Sequence, residues 1–421
     1  MDNLNSYLYA ELKNTPFNLF SILTNYLEIH KDIKVAFVGG YIRDLLIKKY
    51  HSDRVLKSPD YDLVIEGSSL SLARFIKKNI KNVKICLIKE FELYNTVEIN
   101  IDNIKIDIAS AREEKYLAPG LNPSVFDSSI ENDLKRRDFS INSIAYEISE
   151  KKLYDPFNGI CHIKNKELNL LHENSIRDDP SRLLRCSKYA TRFGFKISKD
   201  SLHQAQTVLN KWPWKYTKNK YGFKFPPGIS IRIRMELTEI FKYDNLTEII
   251  RTLEEWKVLS LLNENIKLHN KFIRGLNWIK RLNGNSILFL IKDSKSLEII
   301  SDRFLINQKE KKYLKEFLEI KNSLLNNEKS FYEFSPSQWT NFIEEKNLDP
   351  ETVKLIICDG GKFWRNFLRW LINYRYIKSG KNGLILKKEG WKPGKEMGDE
   401  LKRLRFIQID NLREQDRKSV V

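Results

Sequence analysis

Between Val35 and Gly67 the chain fixes its architecture more tightly than anywhere else. Val35, Phe37 and Val38 form a short apolar run that ends at Gly39-Gly40, and Leu45, Leu46 and Ile47 then recur at helical spacing. The pattern predicts a strand, a glycine turn and a helix. Such a turn brings backbone N–H groups close to a phosphate, at a helix N-terminus that already favours anions. Arg43 adds a fork of donors for phosphate oxygens. Downstream, Asp60 and Asp62 flank Tyr61. Strand residues i and i+2 point the same way, and two neighbouring carboxylates repel unless a cation lies between them. Hard oxygen ligands of this kind suit Mg²⁺ bridging to substrate phosphates. An acidic turn after Pro59 is the other reading of an Asp-x-Asp pair taken alone; the glycine turn and Arg43 upstream favour the metal.

The segments 83–90, 95–100 and 103–110 read as consecutive strands. Alternation of Ile104, Ile106 and Ile108 puts Lys105 and Asp107 on the opposite face. Asp107 is thereby placed to join the Asp60/Asp62 strand as a third carboxylate, or to stand on a solvated face. Residues 1 to about 30 suggest an amphipathic helical lead-in with Leu19, Phe20, Ile22, Leu23 and Leu27 on one side. From 166 onward strand signals fade and helical periodicity takes over. The stretch 211–228 is different: Pro213, Pro226 and Pro227 break the period while aromatics alternate with lysines, as in a linker, a surface insertion or a grip for single-stranded RNA.

Composition narrows the class. At 421 residues, 41% hydrophobic and 12% aromatic, the chain has ample core for several packed units. Lys and Arg number 73 against 55 Asp and Glu, a net charge of +18. That surplus points to a polyanionic partner, or else to a composition rich in Lys, Ile and Asn throughout. Four scattered cysteines and six histidines make no zinc pattern and suggest a reduced, cytoplasmic protein. The N-terminal residues lack a signal-peptide pattern, and no run of eighteen apolar residues exists to span a membrane.

The glycine turn with Arg43 and the Asp60-Tyr61-Asp62 strand resembles the head of the nucleotidyltransferase superfamily. It is most similar to class II tRNA nucleotidyltransferases and bacterial poly(A) polymerases. Arg136, Arg137, Asp138, Phe139, Ser140, Ile141 and Asn142 match that family's sugar-recognition motif nearly letter for letter. Two adjacent arginines suit triphosphate oxygens or the RNA end, and Asp138 and Asn142 suit ribose hydroxyls. Tyr154 to Gly159 resembles the turn that hands the head to the next unit. Asp178, Asp179 and Arg182 resemble the motif that reads the incoming base with protein alone. Cytosine and adenine present an amino donor beside a ring-nitrogen acceptor, and guanine and uracil reverse that order. A carboxylate and an arginine therefore select C and A together. Asp179 and Arg182 lie three apart on a helix and so share a face. Arg185 continues that face, while Lys188 stands where the family has a second arginine and Asp178 stands where it has Glu. Arg232 to Leu237 resembles a neck motif whose leading Glu is replaced by Ile231. Lys392 to Gly398 with Leu401 resembles a tail motif suited to tRNA phosphate.

The resemblance implies an α+β fold: a nucleotidyltransferase head with a small mixed sheet, then all-helical neck, body and tail units. The boundaries are a lead-in over 1–33, a head over 34–160, a neck over 161–245 carrying the base-reading motif and the 211–228 insertion, and a tRNA-binding body and tail over 246–421. It implies addition of C, A or both to the tRNA 3′ end from CTP and ATP, with Asp60 and Asp62 holding Mg²⁺. Asp107 would assist them catalytically. Gly39, Gly40, Arg43, Arg136, Arg137, Asp138, Asn142, Asp179, Arg182, Arg185 and Lys188 would bind the nucleotide. A poly(A) polymerase and a non-catalytic RNA-binding protein on the same head are the alternatives. The length of the 112–135 segment leans slightly towards a protein able to handle A.

Overall fold

The structure is a computed structural model that describes residues 2–51, 60–81, 83, 86–118, 120–212, 226–243, 245–263, 265–293 and 297–418. Two compact units result: residues 1–240 with 248–261, and residues 241–247 with 262–421. Most of the 211–228 stretch lies outside the described residues, as does the 52–59 segment that contains Pro59.

In the first unit, α1 (Asp2–Lys13) and α2 (Leu19–Ile29) precede β1 (Val35–Val38), and α3 (Gly39–Tyr50) leads away from it. The lead-in is thus two helices, broken at Pro16. Then come β2 (Tyr61–Ile65), α4 (Ser69–Asn79), β3 (Cys86–Phe91), β4 (Thr96–Ile101) and β5 (Ile104–Ser110). A hairpin follows, β6 (Arg112–Lys115) and β7 (Ser124–Asp127), then α5 (Ile130–Lys135), β8 (Ala145–Glu147) and β9 (Lys152–Tyr154). Seven strands form one sheet in the order β3-β4-β5-β2-β1-β8-β9. Only the β2–β5 pair is parallel within it; the others are antiparallel.

β1 buries every residue because both of its faces are covered. Phe37 meets Phe20 of α2 and Tyr41 of α3, at ring centroids of 6.4 and 5.7 Å. Ala36 and Val38 turn the other way, into a core with Val64, Ala111, Ala145 and the α5 residues Ile130 and Leu134. On β2 the same alternation sends Asp62 to the α5 side, together with Val64. The expected strands appear within a few residues of their sequence positions, and Ile106 and Ile108 are buried as the alternation required.

After the head come α6 (Gly159–Lys164), the short α7 (Ser175–Asp178), α8 (Arg182–Phe193) and α9 (Lys199–Leu209). A two-stranded parallel pair, β10 (Glu167–Leu168) with β11 (Lys196–Ile197), lies among them where only helices were expected. Two-residue strands carry too little period to be legible. A longer helix, Pro227–Phe241, completes this part.

The second unit is helical among its described residues. Its core includes an aromatic cluster of Phe331, Phe334, Trp339, Phe342, Phe363 and Phe367. The helices Asn270–Arg281 and Pro350–Asp359 cross at Gly275, where a Cβ would stand 2.3 Å from the Cys358 carbonyl. Among the described residues no helix is long and apolar enough to cross a membrane.

Candidate active site

A cleft of about 880 Å³ opens in the first unit, floored by the α5 side of the sheet near β1, β2 and β5. Part of its lining is the β1–α3 turn. Gly39 has φ of +64°, and a Cβ there would lie 2.8 Å from Arg137 Nη1. Glycine is therefore required both for backbone conformation and for the approach of the guanidinium. The Gly40 N–H donates to Asp62 Oδ2 at 2.9 Å. In-register parallel pairing sets Asp62 directly beside Asp107. Burial pushes the Asp62 carboxyl up to about 6; Asp107 adds to the rise, while Arg137 and the Gly40 N–H oppose it. Burial also raises Asp107, against the pull of Lys105, whose Nζ lies 2.8 Å from its Oδ2.

Two neighbouring carboxylates that resist ionisation form a hard-oxygen donor set short of positive charge, which fits a divalent cation. Asp60 is exposed and precedes β2, and it does not line the cleft. Among the described residues no group of three or more His, Cys, Asp or Glu is arranged to hold a metal ion.

Arg136 and Arg137 are oriented from beneath. Asp133 on α5 is fully buried, and each arginine forks onto one of its oxygens: Arg136 onto Oδ1 at 3.0 and 2.6 Å, Arg137 onto Oδ2 at 3.2 and 2.9 Å. Burial works against the Asp133 charge, yet the two guanidinium groups hold its carboxyl below the ordinary range. Arg136 also reaches Glu114 of β6, as does Arg112.

Arg43 lines the cleft beside Gly40, but its donors are already engaged. It is 4% exposed, stacked 4.9 Å from the rings of Tyr189 and Phe193, and its nitrogens go to Asp44 and to Asn142 Oδ1. Its fork is spent inside the protein, where it holds Asn142 rather than offering free donors to phosphate. Asn142 in turn donates to Asp138 Oδ1 at 2.8 Å, and Asp138 Oδ2 accepts from Arg185 at 2.8 Å. Arg185 forks onto Glu236 Oε1 at 2.8 and 2.6 Å, and Lys188 lies 3.4 Å from Glu236 Oε2. Lys188 does not line the cleft.

Asp179 and Arg182 both line the cleft, but they do not share a helix face. Asp179 is extended, with φ of −146° and ψ of 93°, and α8 begins only at Arg182. Pro180 is the cause, because its ring drives the preceding residue out of helical space. Asp179 Oδ1 accepts from the Ser181 N–H and hydroxyl, at 3.0 and 2.6 Å. Arg182 is 6% exposed; it donates to Ser175 Oγ at 2.6 Å and to the Arg136 and Arg137 carbonyls at 3.2 and 3.5 Å. It braces the arginine pair as well as facing the cleft.

Sequence reasoning passed over Arg112, Glu114, Tyr116 and Tyr189, which also line the cleft, and Glu236, which anchors Arg185. Glu236 had a visible signal, its place in the Arg232–Leu237 motif.

A sheet with a glycine turn leading into a helix, and aspartates on adjacent parallel strands, is the frame of this head. Residues 35–169 match the poly A polymerase head domain. The A-adding tRNA nucleotidyltransferase of Halalkalibacterium halodurans is 35% identical over 208 residues, covering 48% of this chain and 46% of that one. The CCA-adding enzyme of Francisella tularensis subsp. tularensis is 26% identical over 362 residues, covering 80% and 90%. The chain spans less than half the length of the first curated relatives it matches. Over 96% of this chain and 94% of the other, the fold is that of the Thermotoga maritima CCA-adding enzyme complexed with tRNA-CCA, with a TM-score of 0.67 and 22% identity.

Proposed function

We propose that the protein adds C, A or both to the 3′ end of tRNA, using CTP and ATP and releasing pyrophosphate. The observation that carries the reading is one cleft lined by the Asp62/Asp107 pair and the Gly40 turn together with Asp179 and Arg182. The names of the relatives support tRNA as the acceptor. Asp62 and Asp107, with Asp60 at the strand entrance, would hold Mg²⁺, the kind of divalent ion with which the family works. Bound there, it supplies charge neutralisation on the triphosphate and a more acidic RNA 3′-hydroxyl.

The protein's own part is positioning. The Gly39-Gly40 turn admits the triphosphate close to the backbone, and Arg137, held by Asp133, faces it. Asp138 and Asn142, fixed by Arg185 and Arg43, address the ribose. The Asp179 carboxylate accepts from the amino group of C or A, and Arg182 donates to the ring nitrogen. Burial excludes water from these pairs and strengthens each of them. Positive surface on residues 246–421 would grip the acceptor arm through its phosphates. A second reading has its own support: the first three curated relatives are A-adding enzymes, which points to addition of the terminal A alone.

Extension of two transcripts, one ending at the discriminator base and one ending in CC, with CTP, ATP or both and Mg²⁺, tests the proposal. Stepwise CCA on the first shows a complete enzyme, and A on the second alone shows the split activity. Long A-tracts identify a poly(A) polymerase, and no extension of either overturns the proposal.

A further inference from the structure

One side chain on the Pro227–Phe241 helix joins two separate segments, the one that carries Asp179 and the loop between β6 and β7. Arg232 Nε lies 3.0 Å from Asp179 Oδ2, shielded from solvent and paired by charge rather than by an aligned hydrogen bond. Its Nη1 donates to Asn122 Oδ1 at 3.3 Å, and its Nη2 to the Gly120 carbonyl at 3.4 Å. Gly120 and Asn122 belong to the loop that joins β6 to β7. One turn before Arg232 stands Gly228, where a Cβ would fall 2.1 Å from Asn122 Oδ1. The helix thus presents a notch at Gly228 and a clamp at Arg232, four residues apart and so on one face.

The consequence falls on Asp179. Its Oδ1 is occupied by the two Ser181 donors, and Arg232 faces Oδ2. A carboxylate that discriminates between bases must hold its plane, because cytosine and adenine place an amino group where guanine and uracil place a carbonyl. Held in place, it attracts the first pair and repels the second; free to turn, it loses the direction on which that contrast depends.

We propose that Arg232 is a positioning residue for base selection, locking the Asp179 carboxylate and tying it to the β6–β7 loop. Seating of the loop in the notch then contributes to the preference for C and A over G and U. The inference rests on the base-reading assignment made above.

The test is extension of a CC-ended transcript with ATP or GTP, and of a discriminator-ended transcript with CTP or UTP. Calorimetric dissociation constants for the four nucleotides accompany it. The proteins are the wild type, Arg232→Gln, Arg232→Lys and Asn122→Ala. We expect the kcat/KM ratio of preferred to rejected nucleotide to fall about tenfold or more in Arg232→Gln, as follows when a hydrogen-bonding site loses its geometry. Asn122→Ala lowers the ratio less, with the wild-type melting temperature retained. Arg232→Lys keeps the charge without the three-way reach and falls between, which covers the case of a glutamine variant that does not fold. Dissociation constants follow the same order. An unchanged ratio in the folded Arg232 variants overturns the positioning role, and an unchanged ratio in Asn122→Ala overturns the link to the loop. A wild type with no preference among the four nucleotides overturns the base-reading assignment itself, a result distinct from either variant outcome.

Discussion

Asp133→Asn is the perturbation with the most definite consequence. The carboxylate is fully buried and makes four hydrogen bonds of 2.6 to 3.2 Å to two arginines, themselves about four-fifths covered. At an effective dielectric of about 20, each charge pair is worth roughly 4 kcal/mol before desolvation is subtracted. Asparagine keeps the shape but leaves two like charges facing each other without their counter-charge, and breaking a buried ion pair from one side costs about 3–5 kcal/mol. Partial exposure of the arginines reduces this to about 2–4 kcal/mol. For a unit of this size that is a fall in melting temperature of roughly 5–15 °C. Calorimetry resolves it provided the transition of the first unit is followed separately, for example by a tryptophan probe near Trp212 or Trp256. The same variant raises KM for the nucleotide, since Arg136 and Arg137 lose the oxygens that aim them. A melting temperature within 2 °C of the wild type, read with about that resolution, would refute the reasoning that Asp133 is the anchor of the pair.

Other expectations follow from the same network. The Asp138 carboxyl is held down at about 2: burial opposes the charge, and Arg185 and Asn142 outweigh it. A folded value below the unfolded one contributes stability above about pH 4, and that contribution disappears as pH falls towards 2. The gap in stability between wild type and Asp138→Asn, measured by denaturant titration at several pH values, is therefore expected to be wide at pH 6 and to close by about pH 2. Gly275→Ala places a Cβ 2.3 Å from a carbonyl and 2.6 Å from Phe289, costing about 1–3 kcal/mol in the second unit; a nucleotide affinity unchanged by calorimetry would accompany it. Asp62→Asn is expected to lower extension by about a thousandfold or more, and excess EDTA to abolish it in the wild type; activity surviving either would remove Asp62 and the divalent ion from the mechanism.

The elements whose signals are local were legible in the sequence. Val35 to Gly40 announced a strand and a turn because a buried strand flanked by glycines has few other readings. The isoleucine alternation around Asp107 fixed its face. The in-register pairing with Asp62 followed only once the parallel partner was known. Asp179 was misplaced because helical spacing was counted across Pro180, and the restriction a proline lays on its predecessor outweighs periodicity. Arg43 illustrates another gap. Sequence shows a cation near a glycine turn, and not that Asp44 and Asn142, the latter some hundred residues further along, have already claimed its donors. Arg232 and Glu236 stood inside a recognisable motif, but their partners at 120, 122, 179 and 185 are set by tertiary folding alone.

The charge chain from Arg43 through Asn142, Asp138 and Arg185 to Glu236 also has a consequence for synthesis on the ribosome. Asp138 emerges about a hundred residues before Glu236, a delay of roughly five to twenty seconds at ordinary elongation rates. Once β9 has emerged the sheet can close, while Arg185 and then Glu236, which hold Asp138, are still to leave the exit tunnel. A nascent head is therefore expected to be folded in outline and incompetent in chemistry. A truncation before Glu236 would leave Arg185 without the carboxylate that holds it, and with it the alignment of Asp138.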